Sequence, residues 1–189
     1  IKPGDIKYRD LNGDNRINGD DKVVIGSTIP RYTFGLNIGA NYKGIDLSMF
    51  FQGVGKADGY LQGPGIVPFV SGESVGGTVL EEHKDYWTEN NRNAAYPRLA
   101  FNESNNNQVS TFWLKDASYL RLKNLQVGYT LPVNLTKKWG INHLRFFANG
   151  TNLFTLDKFW KGYNVEAPTG MVNFYPQVKV YSFGLEVKF

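Results

Sequence analysis

The chain has 189 residues, room for one or two ordinary domains, and is rich in aromatics (13 Phe, 11 Tyr, 4 Trp) and Gly, with no Cys. The lack of Cys excludes a disulfide framework and a thiolate metal site, and a net charge of +4 on interleaved acids and bases excludes the basic stripe of a nucleic-acid binder. No run approaches the roughly 18 apolar residues of a membrane helix, while the aromatic and Gly-rich composition suits β-structure.

Residues 1–30 read as a loop region. The chain opens Ile1-Lys2-Pro3-Gly4-Asp5 without Met or an apolar leader, so any export signal is expected upstream. Asp10, Asn12, Asp14, Asn18 and Asp21 then occupy positions 1, 3, 5, 9 and 12 of a calcium loop of the dockerin or EF-hand type, and Arg16 offers its carbonyl at position 7. Calcium is a hard cation that needs six to eight oxygens at such spacing. Asn15 replaces the usual Gly at position 6, and Asn enters the left-handed region more readily than most residues. The following Lys22–Gly26 run is β-like, so a complete helix-loop-helix hand is not expected. The competing reading is a polar turn whose Asn and Asp side chains bond their own backbone.

Residues 31–189 carry period-two alternation. Tyr32, Phe34, Leu36, Ile38, Ala40 and Tyr42 share one face, against Thr33, Gly35, Asn37, Gly39 and Asn41. Lys43-Gly44 makes a two-residue hairpin turn. Ile45, Leu47, Met49 and Phe51 continue the apolar face. A long connection follows, at about 53–117. It holds a Gly-rich stretch without a phosphate-binding Lys-Ser/Thr ending, and a short surface helix around His83. No catalytic set emerges, because His83 and His143 lack a positioned partner. Trp87, Tyr96, Phe112 and Trp113 either stack on a substrate or partner or fold the loop on itself.

The third strand alternates Leu125, Val127, Tyr129 and Leu131, with Leu120 and Leu122 on the opposite parity. That change implies a β-bulge near Asn124 or a strand leaving its layer there. After a shorter turn at 132–142 the fourth strand places Leu144, Phe146 and Ala148 on one face. A second long connection, at about 156–176, precedes Tyr181, Phe183, Leu185, Val187 and Phe189. Short and long connections thus alternate, as periplasmic turns and extracellular loops do in outer-membrane barrels. The fold class expected is all-β: an antiparallel transmembrane barrel segment with long extracellular loops and Phe189 on the periplasmic side. Tyr32, Tyr42, Tyr129 and Phe189 suit interfacial girdles. Five strands cannot close a membrane barrel, so the rest of the wall must come from elsewhere.

The last strand resembles the terminal signal read by the barrel-assembly machinery, with Ser182, Gly184, Val187 and Phe189 at the signal positions. The chain as a whole resembles the C-terminal region of SusC/RagA-type TonB-dependent outer-membrane transporters. The resemblance rests on blocks running along nearly its whole length: Gly4–Asp14, Tyr96-Pro97-Arg98-Leu99, Phe112-Trp113-Leu114, Ala117–Leu125, Gly128-Tyr129, Asn149–Phe154 and Tyr175-Pro176. It implies the last five strands of a 22-stranded barrel around a plug, an SusD-like surface lipoprotein partner, and a TonB complex acting through a region outside this chain. It also implies import of a bulky nutrient, an oligosaccharide or peptide, and no enzymatic activity. Inward-facing Lys43, Asp46, Gln52 and Arg145 then face plug or water. The rival class is a secreted, calcium-stabilised β-sandwich that binds carbohydrate. It accounts for the 10–21 loop but not for the alternating connections.

Overall fold

A computed structural model describes residues 1–61, 63, 68, 79–100, 104–167, 170 and 174–189. Most of the Gly-rich run expected after residue 53 lies outside the described residues. Among the described residues are seven strands: β1 (Tyr32–Tyr42), β2 (Ile45–Gly55), β3 (Asp58–Tyr60), β4 (Leu114–Asp116), β5 (Tyr119–Thr130), β6 (His143–Asp157) and β7 (Val180–Lys188). The chain forms two compact units. One comprises Ile1–Thr28, Asp58–Lys115 and Glu166–Phe174; the other comprises Ile29–Ala57, Asp116–Val165 and Tyr175–Phe189.

The second unit is an antiparallel sheet in the order β1-β2-β5-β6-β7. Its five strands run 9 to 15 residues, long enough for a tilted strand to cross a hydrocarbon core. Lys43 and Gly44 both have positive φ (48° and 84°), the mirror-image turn whose twist matches the flanking strands. Between β5 and β6 the chain makes one helical turn, α1 (Val133–Thr136), and a 3₁₀ turn closed by left-handed Gly140 (φ 71°).

The register aligns the apolar residues in rows across all five strands. One row is Tyr42, Ile45, Tyr129, Phe146 and Leu185; the next is Ala40, Leu47, Val127, Ala148 and Phe183. A third row runs Ile38, Met49, Leu125, Gly150 and Tyr181. The change of parity in β5 is absorbed by a bulge. Pairing with β2 passes from Phe50↔Asn124 to Phe51↔Leu122 and leaves Lys123 extra, so the apolar face is preserved. β6 continues past Asn149 to Asp157, with Asn152 in the left-handed region (φ 53°) at the same level.

The large side chains at either margin of these rows are exposed, from 39% at Ile38 to 83% at Phe183, while Leu47, Met49, Leu125 and Ala148 are half-exposed and Gly150 is buried. A face this wide and apolar exceeds what a water-facing sheet leaves open, and it is what a wall facing lipid requires. The opposite face is polar and small apart from Phe50 and Phe147. There Arg145 spans β5 to reach Asp46 on β2, with Nε–Oδ1 2.9 Å and Nη2–Oδ2 2.5 Å, and lies 5.1 Å from the centroid of the Phe147 ring. Gly128 lies beneath this bridge, where a Cβ would fall 2.5 Å from Arg145 Nη2. At the other end of β5, buried Arg121 lies over the Tyr119 ring and donates to Thr155 Oγ1 (2.7 Å), Asn164 Oδ1 (2.8 Å) and Gln177 Oε1. It thereby ties both limbs of the β6–β7 connection to the sheet.

Candidate functional site

The first unit is organised around Trp113, which is 1% exposed and donates from Nε1 to the Asn106 carbonyl (2.8 Å). Phe112 meets Trp113 edge-on at 4.9 Å, Tyr96 lies 6.2 Å away, and His83 packs edge-to-face on Tyr96 at 4.9 Å. His83 therefore does not sit on a surface helix. Its segment is a single 3₁₀ turn, Glu81–Lys84, and the buried imidazole accepts the Leu80 N–H at Nδ1 (3.0 Å). Of the four aromatics singled out from the sequence, Tyr96 and Trp113 are buried core residues, whereas Trp87 and Phe112 remain half-exposed.

A polar hub pins the N-terminal segment to this core. Asp5 accepts from Lys2 N (2.6 Å) and Asn106 Nδ2 (3.0 Å) and is ion-paired with Arg98, whose Nε lies 2.5 Å from Oδ1, while Arg98 N donates to Gly4 O (2.9 Å). Buried Asn106 accepts the Ile6 N–H (2.8 Å), and Tyr8 donates its hydroxyl to Asn105 O (2.6 Å). Burial raises the Asp5 carboxyl, but the Lys2 N–H and the Arg98 and Asn106 side chains outweigh it and leave the pKa below the usual value. The Gly4-Asp5 and Tyr96-Pro97-Arg98 blocks, far apart in sequence, thus meet in one cluster. Their role as a hub had no periodic signature to announce it.

Around this hub runs a groove of about 600 Å³ whose walls include Lys7, Tyr8, Arg9, Trp87, Tyr96 and Phe112. Gly4 (φ 86°) lies against the six-membered ring of Trp87, so closely that a Cβ there would collide with it.

The 10–21 loop is exposed and knotted by its own side chains. Asp10 accepts from Gly13 N (2.6 Å) and Asn15 N (2.8 Å), Asn12 from Asp14 N (2.9 Å), and Asp14 from Arg16 N (2.8 Å). Asn15 adopts φ 61°, the left-handed geometry expected of it. Asn18 caps a 3₁₀ turn, Gly19–Asp21, and Asp21 accepts from Asn18 N (2.9 Å) and Leu11 N (2.8 Å). Among the described residues no three His, Cys, Asp or Glu side chains converge as a metal-holding group. The Lys22–Gly26 run is irregular rather than the β-like segment expected from its sequence, and the chain just after it meets β3 where Asp58 N donates to Ser27 O (2.8 Å).

The backbone N–H groups of Asn18 and Leu11 hold the Asp21 carboxyl below the usual aspartate range. A depressed folded pKa gives a stabilisation that is complete above the unfolded pKa and lost as pH falls through the folded one. Limited proteolysis in the 10–21 loop should therefore stay constant through neutral and mildly acidic pH. It should rise only below the ordinary aspartate pKa of about 3.9; a rise already near neutrality would contradict the assignment.

In β7, Ser182, Gly184 and Glu186 face the polar side, opposite Asn149, Phe147 and Arg145, whereas Val187 shares the apolar side opposite Leu144. The Phe147 ring covers Gly184, and Phe189 extends past the paired strand, 86% exposed.

No protein-family model matches the chain. It is 28% identical over 99% of its length to TonB-dependent receptor P3 of Formosa agariphila, and 30% identical over 98% to receptor P26 of the same organism. It is 26% identical over its whole length to the TonB-dependent receptor SusC of Bacteroides thetaiotaomicron. These alignments cover 18–20% of each relative, so the chain spans about a fifth of the length of the curated proteins it matches. Among solved structures it superposes on the RagAB peptide importer in its closed-closed state with TM-score 0.72. That match has 28% identity and covers 92% of this chain and 19% of the importer's. The open-open state of the same importer gives 0.70.

Proposed function

We infer that this chain, a SusC/RagA-type segment by sequence and by structure, is part of the outer-membrane barrel of a TonB-dependent nutrient importer. The observation that carries this reading is the set of apolar rows crossing all five paired strands, left open to the surroundings, in a chain similar to TonB-dependent receptors along nearly its whole length. Its contribution is structural and positional: it closes wall, presents loops, and performs no bond chemistry. The nutrient is bulky, an oligosaccharide or a peptide, and SusC and the RagAB peptide importer are the relatives that suggest those two classes. An SusD-like lipoprotein covers the outer opening, TonB supplies the energy through another part of the protein, and the polar face of the sheet meets the plug.

The orientation follows from the connections. The tight turn at Lys43-Gly44, the 131–142 turn and Phe189 share one end of the sheet, which is assigned to the periplasm; the long connections leave from the other, extracellular end. Ser182, Gly184, Val187 and Phe189 are the assembly signal, since an amphipathic strand with a free edge is what an assembly machine can template on. The full-length protein should fractionate with the outer membrane, and solute uptake by cells expressing it should cease when TonB is deleted. Recovery as a folded monomer without detergent would overturn the reading in favour of a secreted carbohydrate-binding sandwich.

The 10–21 loop binds calcium through Asp10, Asn12, Asp14, Asn18 and Asp21 and the Arg16 carbonyl, and the ion rigidifies the loop. The support is the spacing, the left-handed Asn15 and the Asn18 cap that opens the exit turn. Isothermal titration should give chelator-reversible heat at or below roughly millimolar calcium, the weak end for extracellular modules. Silence at that concentration would sink the assignment.

A further inference from the structure

We propose that the groove beside the Asp5 hub is a binding site for an anionic oligosaccharide, one carrying carboxylate or sulfate groups. The inference rests on the importer reading above and narrows its substrate class.

Three features of the groove point the same way. Trp87 is half-exposed and lies against Gly4, which has no side chain to hold the ring away; the indole is a pre-set platform rather than a mobile surface residue. Phe112 supplies a second aromatic wall, itself fixed edge-on against buried Trp113. Rigid aromatic faces at the rim of an open groove match the flat C–H faces of pyranose rings and lose little rotamer freedom on binding.

The charges set the sign of the ligand. Lys7 and Arg9 line the groove with exposed side chains and no ion-pair partner among the described residues. The single acid of the lining, Asp5, is already committed to Arg98, Asn106 and Lys2 N. Among the described residues the groove therefore presents two cations outside any ion pair and no available carboxylate, which favours an anion and repels a cationic ligand. The exposed Thr111 adds a hydroxyl to the lining.

The test uses the full-length transporter in detergent, titrated calorimetrically with a galacturonate hexamer, a neutral glucose hexamer of the same linkage, and a glutamate-rich peptide. The galacturonate hexamer is expected to bind at least ten times more tightly than the other two, with an affinity that falls as salt rises. Trp87→Ala, and separately the exposed pair Lys7→Ala/Arg9→Ala, should each weaken it by about tenfold, the order lost with one stacking face or one charge-assisted contact. Because Trp87→Ala risks disturbing the unit, the Lys7/Arg9 pair decides the matter if that variant misfolds. Equal or tighter binding of the peptide, no heat with the galacturonate hexamer, or binding that neither variant weakens would each overturn the proposal. A protein that still reaches the outer membrane and imports another solute in a TonB-dependent way, while failing these titrations, loses the groove and keeps the transport reading.

Discussion

Replacing Asp5 by Ala should destabilise the unit built on Trp113 by about 3 kcal/mol, the lower end of the range for breaking a buried ion pair. The Asp5 side chain is 3% exposed and that of Arg98 is 19% exposed, so removal of the carboxylate leaves a guanidinium largely cut off from water. Two further donors, Lys2 N and Asn106 Nδ2, lose their acceptor at the same time. The remaining exposure of Arg98 keeps the loss from reaching the top of the range. Urea-dependent proteolysis of the full-length protein in detergent measures it, read at cleavage sites in residues 79–100. Adding Arg98→Met should recover part of the loss, because it removes the largely buried guanidinium that faced the Asp5 carboxylate. A single variant within about 0.5 kcal/mol of the parent, the usual range for surface substitutions, would mean that the hub is incidental.

Leu125→Arg and Gln126→Arg form a paired experiment on adjacent residues with opposite expected outcomes. Leu125 stands in the third apolar row, between Met49 and Gly150, and Gln126 faces the other side between Ser48 and Asn149. If that row lies near the middle of the bilayer, an arginine on the lipid face costs about 2–4 kcal/mol, while one facing the lumen is tolerated. The level of heat-modifiable, folded protein in the outer membrane should drop sharply for Leu125→Arg and stay near normal for Gln126→Arg. Equal behaviour of the two would remove the argument that the apolar rows face lipid.

The sheet was legible because its chemistry is periodic. Alternation placed β1, β2, β5 and β7 on the correct faces, Lys43-Gly44 announced its turn, and the parity change at Leu122–Asn124 announced the bulge. β6 was readable only to Asn149, because Asn149, Gly150, Thr151 and Asn152 interrupt the alternation just where its pairing with β5 becomes irregular. The first unit has no such code. Its core is assembled from irregular chain, so nothing local separates buried Trp113 and His83 from half-exposed Trp87, and polar Asp5 and Asn106 read as surface residues. Within the groove, the aromatic walls could be shortlisted from sequence, but which of them stay accessible is decided by long-range packing.

Alternation of apolar and polar residues rejects a strand that slips by one position, since every side chain would change sides, but it is blind to a slip of two. The strand glycines supply the missing check. Phe34 sits over Gly53, Phe147 over Gly184, and the Asp46–Arg145 bridge over Gly128, each filling a notch that a Cβ would close. A two-residue slip of β7 along β6 would put Phe147 opposite Ser182 or Glu186 instead of Gly184. The faces would still match, but the ring would have no notch to occupy. These notches act as a vernier for strand pairing, rewarding one alignment among those the hydrophobic pattern accepts. Filling one should therefore appear first as misregistered chains during assembly, before it appears as a weaker finished wall.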